Sequence, residues 1–489
     1  MVTVENSRYA RLLACFISLF PDCGEDMYFY RYISFRSNRF NRCSSMSSEL
    51  GRLSAQRSSR MSDTPPPHPD QEAPDFTEDN ALLAQYPGNY RELITNVQLQ
   101  DGLAEGKIQQ LDGIQSVFIR HILKRRDIFC QLPAKSGKTA IFVVATLQML
   151  NLEPDVASFR APSVVVVAPT RELASQIADT YQLYGKRMPN LSVRLFIGGL
   201  NRASEDVKAM RNSKQRLHVV VATPGRLKEL IRESYVHVNY VKHMIFDEAD
   251  TIFGDEEMRA DAHFCFTRTE RQKQTMMFGA TFSGLAHEIC VKYLRLPFSW
   301  TGPSIDNPRR GGVINHRFYH VHENSKMDYL EGFLNLVLER EPERQVLIFV
   351  DTRERCDVLS HYLEEKKFDV IQVQGGLRQN IRFYCFGLAK ENRKKLIVTT
   401  DLFARGVDIP HVSVIVNYDC PKGFSGNVGG GRHDPVEARH TYYNRTNRCG
   451  RDIDQSLVLT LARDAGDINF LRTEVEQNLG FQVIELTKE

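Results

Sequence analysis

Residues 128–150 read IFCQLPAKSGKTAIFVVATLQML, and the order of residue types in that stretch sets the fold. A strand-like segment, Asp127–Gln131, ends at a polar loop. Thr139–Leu150 then reads as a helix. Strand, tight loop and helix in that order are the first half of a βα unit. Backbone N–H groups at such a turn cradle phosphates, a lysine reaches the β- and γ-phosphates, and a hydroxyl holds Mg2+. Lys138 and Thr139 stand at those two places. A bare GKT is a weak signal, and Leu132 stands where a phosphate loop usually has Gly or Ala, so the reading needs support from the rest of the chain.

Further along, Val164–Val167, Val219–Val221, Met244–Phe246 and Thr275–Phe278 read as buried strands separated by helical stretches. A second set follows at Val346–Val350, Val370–Val373, Leu396–Val398, Val414–Asn417 and Leu457–Leu461. Alternation of this kind predicts α/β architecture, each set forming a parallel sheet flanked by helices. Gly302–Gly312 (GPSIDNPRRGG) cannot hold regular structure and reads as a linker. The expected organisation is an N-terminal extension over 1–80, a first lobe over 81–301, the linker over 302–312 and a second lobe over 313–489. Lys422 to His440, with five glycines and no apolar periodicity, reads as a surface loop inserted in the second lobe.

Bulk composition agrees. With 489 residues, 42% hydrophobic and 25% charged, the chain has the make-up of an ordinary globular protein with room for two or three domains. A net charge of +3 does not advertise a nucleic-acid partner, so any such contact must be placed locally. The ten cysteines include no CxxC pair, which fits reduced thiols in cytosol or nucleus. No run approaches the roughly 18 apolar residues that span a membrane. Leu12–Phe20, preceded by Arg8 and Arg11, resembles the apolar region of a signal peptide. The favoured expectation for residues 1–60 is instead a disordered extension, or a start at Met46 or Met61. Residues 61–80 are proline-rich and acidic and are expected to be a disordered tail.

The chemistry sits where strands end. Asp247-Glu248-Ala249-Asp250 follows the apolar Met244–Phe246, and carboxylates there serve Mg2+ coordination and polarisation of an attacking water. A DE pair is also common as a plain acidic helix N-terminus. With GKT upstream in the same βα array, the two sites together indicate a nucleoside triphosphatase. Pro169-Thr170-Arg171-Glu172-Leu173 and Thr223-Pro224-Gly225-Arg226 place hydroxyls, backbone N–H groups and arginines at strand C-termini, which suits phosphodiester contacts. In the second lobe Thr400-Asp401 and Arg405-Gly406-Val407-Asp408 follow a strand. Arg445, Arg448 and Arg451 recur every third residue; such a triplet is usually a solvated helical face, but arginines across a cleft can stabilise a transferring phosphoryl.

In order and spacing these segments resemble the DEAD-box RNA helicases, from about Tyr90 to the C-terminus. Gln115 matches the adenine-reading glutamine, with Tyr90 at the upstream aromatic position. Gln131–Thr139 matches motif I in length, placing Ala134, Lys135, Ser136, Gly137, Lys138 and Thr139 at the phosphates. Gly198-Gly199 matches the GG pair, Gly279-Ala280-Thr281 stands in for SAT, Gln379 and Arg382 match QxxR, and TTDLFARGVD and Tyr443–Arg451 match motifs V and VI. The resemblance implies two RecA-like lobes, ATP and Mg2+, and single-stranded RNA bound independently of sequence. It further implies Lys138, Glu248, Arg448 and Arg451 as catalytic residues, Tyr90, Gln115 and Asp408 at the nucleotide, Thr139 and Asp247 at the metal, and Thr281 in coupling. The RNA backbone would meet Thr170, Arg171, Gly199, Thr223, Gly225, Arg226, Arg382 and Thr400. Pieces such as TAIFVVATLQML and NYDCP are most similar to the nuclear mRNA splicing-and-export branch. That branch implies export or splicing proteins as partners and a nuclear, or cytoplasmic, location, with no membrane.

Three departures from the family pattern stand out. Lys135 replaces the inner glycine of motif I, Gly279 replaces a serine, and Asn444 replaces a histidine. They leave two readings: an RNA-stimulated ATPase, or an ATP-binding clamp that barely turns over. Retention of Lys138, Thr139, Asp247, Glu248, Arg448 and Arg451 favours the first. A metabolic P-loop kinase would leave TPGR, motif V and the second lobe without a purpose.

Overall fold

The structure is a computed structural model that describes residues 90–133, 136–152, 161–199, 217–282, 284–301, 313–401, 409–422, 424–425, 432–449 and 455–486. The first lobe is built on β1 (Ile128–Gln131), β2 (Val164–Val167), β3 (Val193–Phe196), β4 (Val219–Ala222), β5 (His243–Phe246), β6 (Gln274–Gly279) and β7 (Phe298–Thr301). They form one sheet in the order β3-β4-β2-β5-β6-β1-β7, every pair parallel. The second lobe uses β8 (Val313–His320), β9 (Gln345–Phe349), β10 (Val370–Val373), β11 (Leu396–Thr399) and β12 (Val412–Asn417). A short hairpin, β13 (Phe424–Ser425) with β14 (Arg432–His433), precedes β15 (Gln455–Ala462) and β16 (Val483–Glu485). The sheet order is β10-β11-β9-β12-β15-β8-β16, again wholly parallel. Counting its seven strands in chain order gives third, fourth, second, fifth, sixth, first, seventh, the same permutation as the first lobe. One topology has been used twice.

Parallel strands need both faces covered, and the burial pattern shows it. Val164 and Val166 of β2 belong to one apolar cluster, Val165 and Val167 to another on the opposite face. In β9, Val346 and Ile348 divide from Leu347 and Phe349 in the same way. Helices start with local chemistry that fixes their position. Thr170 caps Arg171–Tyr184 by accepting from the Leu173 N–H, and Pro224 opens Pro224–Arg232 at a position where no N–H is needed.

The strands read from β-branched runs are present, and the two large sheets add four more at β3, β7, β8 and β16. The surface-loop reading of Lys422–His440 needs correcting. The segment contains the hairpin and then the first turns of a helix, Pro435–Thr446, with Asp434 as N-cap accepting from Val436 and Glu437 N–H groups. The linker at 302–312 and the extension before Tyr90 lie outside the described residues. Among the described residues no helix is long and apolar enough to cross a membrane.

Candidate functional site

All the loops singled out in the first lobe leave the C-terminal ends of its strands, the edge at which open α/β sheets bind ligands. The phosphate-loop segment turns into the helix Lys138–Met149 at Gly137, whose φ of +80° is left-handed. A side chain at 137 would also collide with the Gln115 amide, so glycine is needed there twice over. Gln115 itself closes a capping box with Asp112, and its Nε2 donates to Ser136 O at 3.3 Å. The expected adenine-reading residue is therefore tied to the phosphate loop. The Lys138 ammonium donates back to Leu132 O at 2.7 Å and Pro133 O at 3.0 Å. Tyr90, expected at the nucleotide, is buried in the first-lobe core. Ala134 and Lys135 lie outside the described residues, as do Asp408 and Arg451.

Asp247 stands at the end of β5, and burial pushes its carboxyl up to about 6 against the opposing pull of Lys138, the Glu248 N–H and the Thr139 hydroxyl. Its Oδ1 accepts from the Glu248 N–H at 3.1 Å. A hard-oxygen pair of buried carboxylate and half-buried hydroxyl fits Mg2+. Glu248 follows with φ +50°, a left-handed conformation costing of order 1–3 kcal/mol for a residue with a side chain. That kink swings the chain from β5 directly into the helix Ala249–Gly254.

Asp250 links this strand end to the next. Its Oδ2 accepts the Ala280 N–H (3.2 Å), the Thr281 N–H (2.9 Å) and the Thr281 hydroxyl (3.1 Å). Its Oδ1 is buried with no hydrogen-bond partner. A Cβ built on Gly279 would lie 3.0 Å from that oxygen, but 2.5 and 2.6 Å from the Phe282 ring. The ring, packed 4.7 Å from Phe129, fills the space a serine would use.

The residues expected on RNA meet across the lobes. Arg171 Nη1 donates to Gln379 Oε1 at 2.5 Å, and Arg382 Nε to Glu172 Oε1 at 2.6 Å, both ends of that ion pair being buried. Gln379 Nε2 adds a 3.4 Å bond to the same Glu172 oxygen, and Phe383 packs on the first-lobe core. Gly199, at φ +111°, lies under Arg171 and Gln379. Arg226 is likewise buried and paired with Glu229 at 2.5 Å. A phosphate contact from Arg226 or Arg382 thus falls to the N–H groups these carboxylates do not take, and needs them brought out of burial. Thr170 spends its hydroxyl on the helix cap; Thr223 forms no side-chain cap and Gly225 opens the same helix. Thr400 follows β11, partly buried.

In the second lobe the two described members of the arginine triplet, Arg445 and Arg448, are not a solvated face. The helix ends at Thr446, and Arg445 is fully buried. It donates to Asp401 (2.5 and 2.9 Å), Asn417 Oδ1 (3.3 Å) and Asp419 O (2.8 Å), joining the ends of β11 and β12. Arg448 is also buried, its Nε donating to Asn444 O at 3.2 Å. Sequence reasoning left Glu172, Gln379, Asp250, Phe282, Asp401 and Arg445 off the site. All but Phe282 stood inside quoted motifs, whereas nothing in the sequence marks Phe282 as the occupant of a missing side chain.

Comparison with known proteins agrees with this geometry. The family described as DEAD/DEAH box helicase matches residues 112–289, and helicase conserved C-terminal domain matches 325–452. The ATP-dependent RNA helicase uap56 of Schizosaccharomyces pombe is 31% identical over 400 residues, covering 82% of this chain and 86% of its own length. The ATP-dependent RNA helicase WM6 of Drosophila melanogaster is 31% identical over 419 residues, covering 86% and 92%. The structure of S. cerevisiae Dbp5 bound to RNA and ADP BeF3 covers 82% of this chain and 96% of its own, with a TM-score of 0.71 at 24% identity. Its fold confirms two tandem RecA-like domains. The twice-used topology, the linked strand-end motifs and relatives that match nearly end to end lead to one conclusion: this chain belongs to the DEAD-box family of ATP-dependent RNA helicases.

Proposed function

We propose that the chain hydrolyses ATP to ADP and phosphate in a cycle stimulated by single-stranded RNA, remodelling RNA or ribonucleoprotein in nuclear mRNA splicing or export. The carrying observation is that the phosphate-loop segment leaves β1 and the DEAD segment leaves β5 on either side of β6, at one C-terminal sheet edge, with Lys138 and Thr139 close enough to act on the Asp247 carboxyl. This arrangement brings the hydroxyl, the carboxylate and the Lys138 charge to one strand edge. Thr139 and Asp247 would hold Mg2+, which when bound offsets charge on the phosphates. Lys138 exchanges its two loop carbonyls for phosphate oxygens, Glu248 orients the attacking water, and Arg448 and Arg451 bring charge from the second lobe. Gln115 serves the base, with Tyr90 packed behind the helix that carries it, the loop 134–137 serves the phosphates, and Asp408 the sugar side. Thr281, bonded twice to Asp250, carries the state of the DEAD segment to the neighbouring strand end.

RNA would lie along the strand edges at Thr170, Arg171, Gly199, Thr223, Gly225, Arg226, Arg382 and Thr400, with phosphate contacts that are indifferent to sequence and weakened by salt. The splicing-and-export branch, a nuclear location and its protein partners are supported by the branch-like sequence pieces and by the relatives uap56 and WM6. One observation favours the slower-clamp reading: Gly279 leaves Asp250 Oδ1 without a partner. Unwinding of a short RNA duplex bearing a single-stranded extension tests the proposal. ATP-dependent strand release, lost in Lys138→Ala, is the expected result; strand release without ATP, or none with it, contradicts the proposal.

A further inference from the structure

Because the first-lobe strands are all parallel, their N-terminal ends share one edge, opposite to the site just described. The turns entering four neighbouring strands, β5, β6, β1 and β7, carry Lys124, Arg125, Arg126, Lys242, Arg271 and Arg295, all exposed. These turns are in direct contact. Gln274 donates its backbone N–H to Lys242 O (2.9 Å) and its side-chain amide to Arg126 O (2.6 Å). The Arg295 guanidinium donates to Lys273 O at 2.5 Å. Four strands at about 4.8 Å spacing make the cluster roughly 15 Å across.

Among the described residues two carboxylates lie at the cluster: exposed Glu270, which accepts the Arg271 N–H at 2.8 Å, and Asp127, 3.8 Å from the Arg295 guanidinium. The carboxylate of Asp127, at the centre, is 3% exposed and accepts the backbone N–H groups of Thr275 and Arg295. Lys124, Arg125 and Lys242 have no carboxylate partner among the described residues. The mutual repulsion is felt by the groups beneath. His121 is held at about 4 by burial and by Arg126 and Lys124, and Lys273 at about 8 by burial and by Arg295. Arg125 moreover has φ +62°, a conformation in which glycine is the easier residue.

The same chain holds a match for this cluster. Residues 63–79, outside the described residues, carry Asp63, Asp70, Glu72, Asp75, Glu78 and Asp79, and no Lys or Arg occurs between Arg60 and Arg91. The tether is short. Eleven residues from Asp79 to Tyr90 reach about 36 Å when extended. The helix Tyr90–Leu93 packs on Gly113–Leu123, a helix about 17 Å long that runs straight into Lys124. A segment held that close has an effective concentration on the order of millimolar. We propose that the acidic segment 63–79 docks in cis on this basic edge of the first lobe and screens it from other polyanions. RNA is thereby confined to the opposite, C-terminal edge.

Each exposed ion pair is weak, so docking depends on their number and on low salt. Zero-length carbodiimide coupling of the full-length protein, read by mass spectrometry, tests it. At about 50 mM salt, amide links should join Lys124 and Lys242 to carboxylates within 63–79, and they should vanish near about 0.5 M. A mixture of light and heavy-isotope chains should give links within one chain only. Changing the six acids to Asn or Gln should abolish the links and strengthen retention on heparin. Lys124→Ala with Arg125→Gly, a pair the local backbone tolerates, should remove that extra retention. Absence of the links at low salt, links only between chains, or ultraviolet cross-linking of RNA to Lys124 and Lys242 with the acidic segment intact would each overturn the proposal.

Discussion

Restoring a serine at position 279 should destabilise the protein while Phe282 is present and stabilise it once that ring is cut back. The new Cβ would stand 2.5 and 2.6 Å from ring carbons of Phe282, so the ring must leave its contact with Phe129. Such an aromatic contact is worth about 0.5–1.5 kcal/mol. Against that, the hydroxyl reaches Asp250 Oδ1, an oxygen now buried without a partner, and satisfying it returns about 1–3 kcal/mol. With the ring in place, forcing the side chain in adds an overpacking cost of about 1–3 kcal/mol to the lost contact; together these exceed the gain and leave Gly279→Ser about 1 kcal/mol less stable. In a Phe282→Ala background only the gain remains, and the same change should stabilise by about 1–2 kcal/mol. The coupling energy of the cycle is then about 2–3 kcal/mol, well above the scatter of about 0.3–0.5 kcal/mol expected for independent sites. Equilibrium unfolding in urea of the four proteins gives the number. RNA-stimulated turnover, measured in parallel, should be highest in the double variant if the serine restores the link from Asp250 to the strand end. Additive effects, or a stabilising Gly279→Ser in the unaltered background, would refute the reasoning.

Glu172→Ala removes the one carboxylate partner that the buried Arg382 guanidinium has among the described residues, a loss of about 3–5 kcal/mol if the lobes stay together. Because they can part and let the arginine hydrate, the expected readout is RNA-stimulated turnover reduced at least about tenfold, with a larger radius of gyration by X-ray scattering and unchanged first-lobe unfolding. His316, bonded to Tyr442 and stacked on Phe481, is driven by burial down to about 3 from the ordinary histidine value. Both states are neutral above pH 6.5, so its contribution is intact there. As pH falls, the unfolded chain takes up a proton that the folded one refuses, and up to about 1.4 kcal/mol of stability is lost per pH unit. His316→Asn should therefore lower proton uptake on second-lobe unfolding at pH 5 by about one. For Lys135, whose placement lies outside the described residues, the expectation stands on sequence. Lys135→Gly should tighten nucleotide binding and raise turnover about tenfold by relieving roughly 1.4 kcal/mol of backbone strain, and a fall in ATP affinity would show that the lysine is a phosphate ligand.

The sequence revealed the buried strands because a parallel sheet writes them as continuous apolar runs, as in VVVV at 164–167. It hid β3, β7 and β16 because they are short edge strands facing solvent on one side; VRLF and FSWT interleave polar residues. The loop motifs were legible because each sits at a strand end, but which partner a side chain chooses was not. Arg445 and Arg448 share a spacing, yet Arg445 is sealed between Asp401 and Asp419 O, and only the fold brings β11 and β12 together there. Likewise Arg171 and Arg382 looked like free cations, until the facing lobe supplied Gln379 and Glu172. The glycine-rich stretch from Lys422 hid a helix start, since Asp434-Pro435 is a cap-and-N1 pair surrounded by loop residues.

Phosphate release from ATP, with and without unstructured single-stranded RNA, tests the central claim most directly when wild type and Lys138→Ala are compared. The account predicts release that rises with RNA for the wild type and stays at background for Lys138→Ala, whose unfolding curve should match the wild type. RNA-independent release by the wild type, or wild-type release by Lys138→Ala, would contradict it.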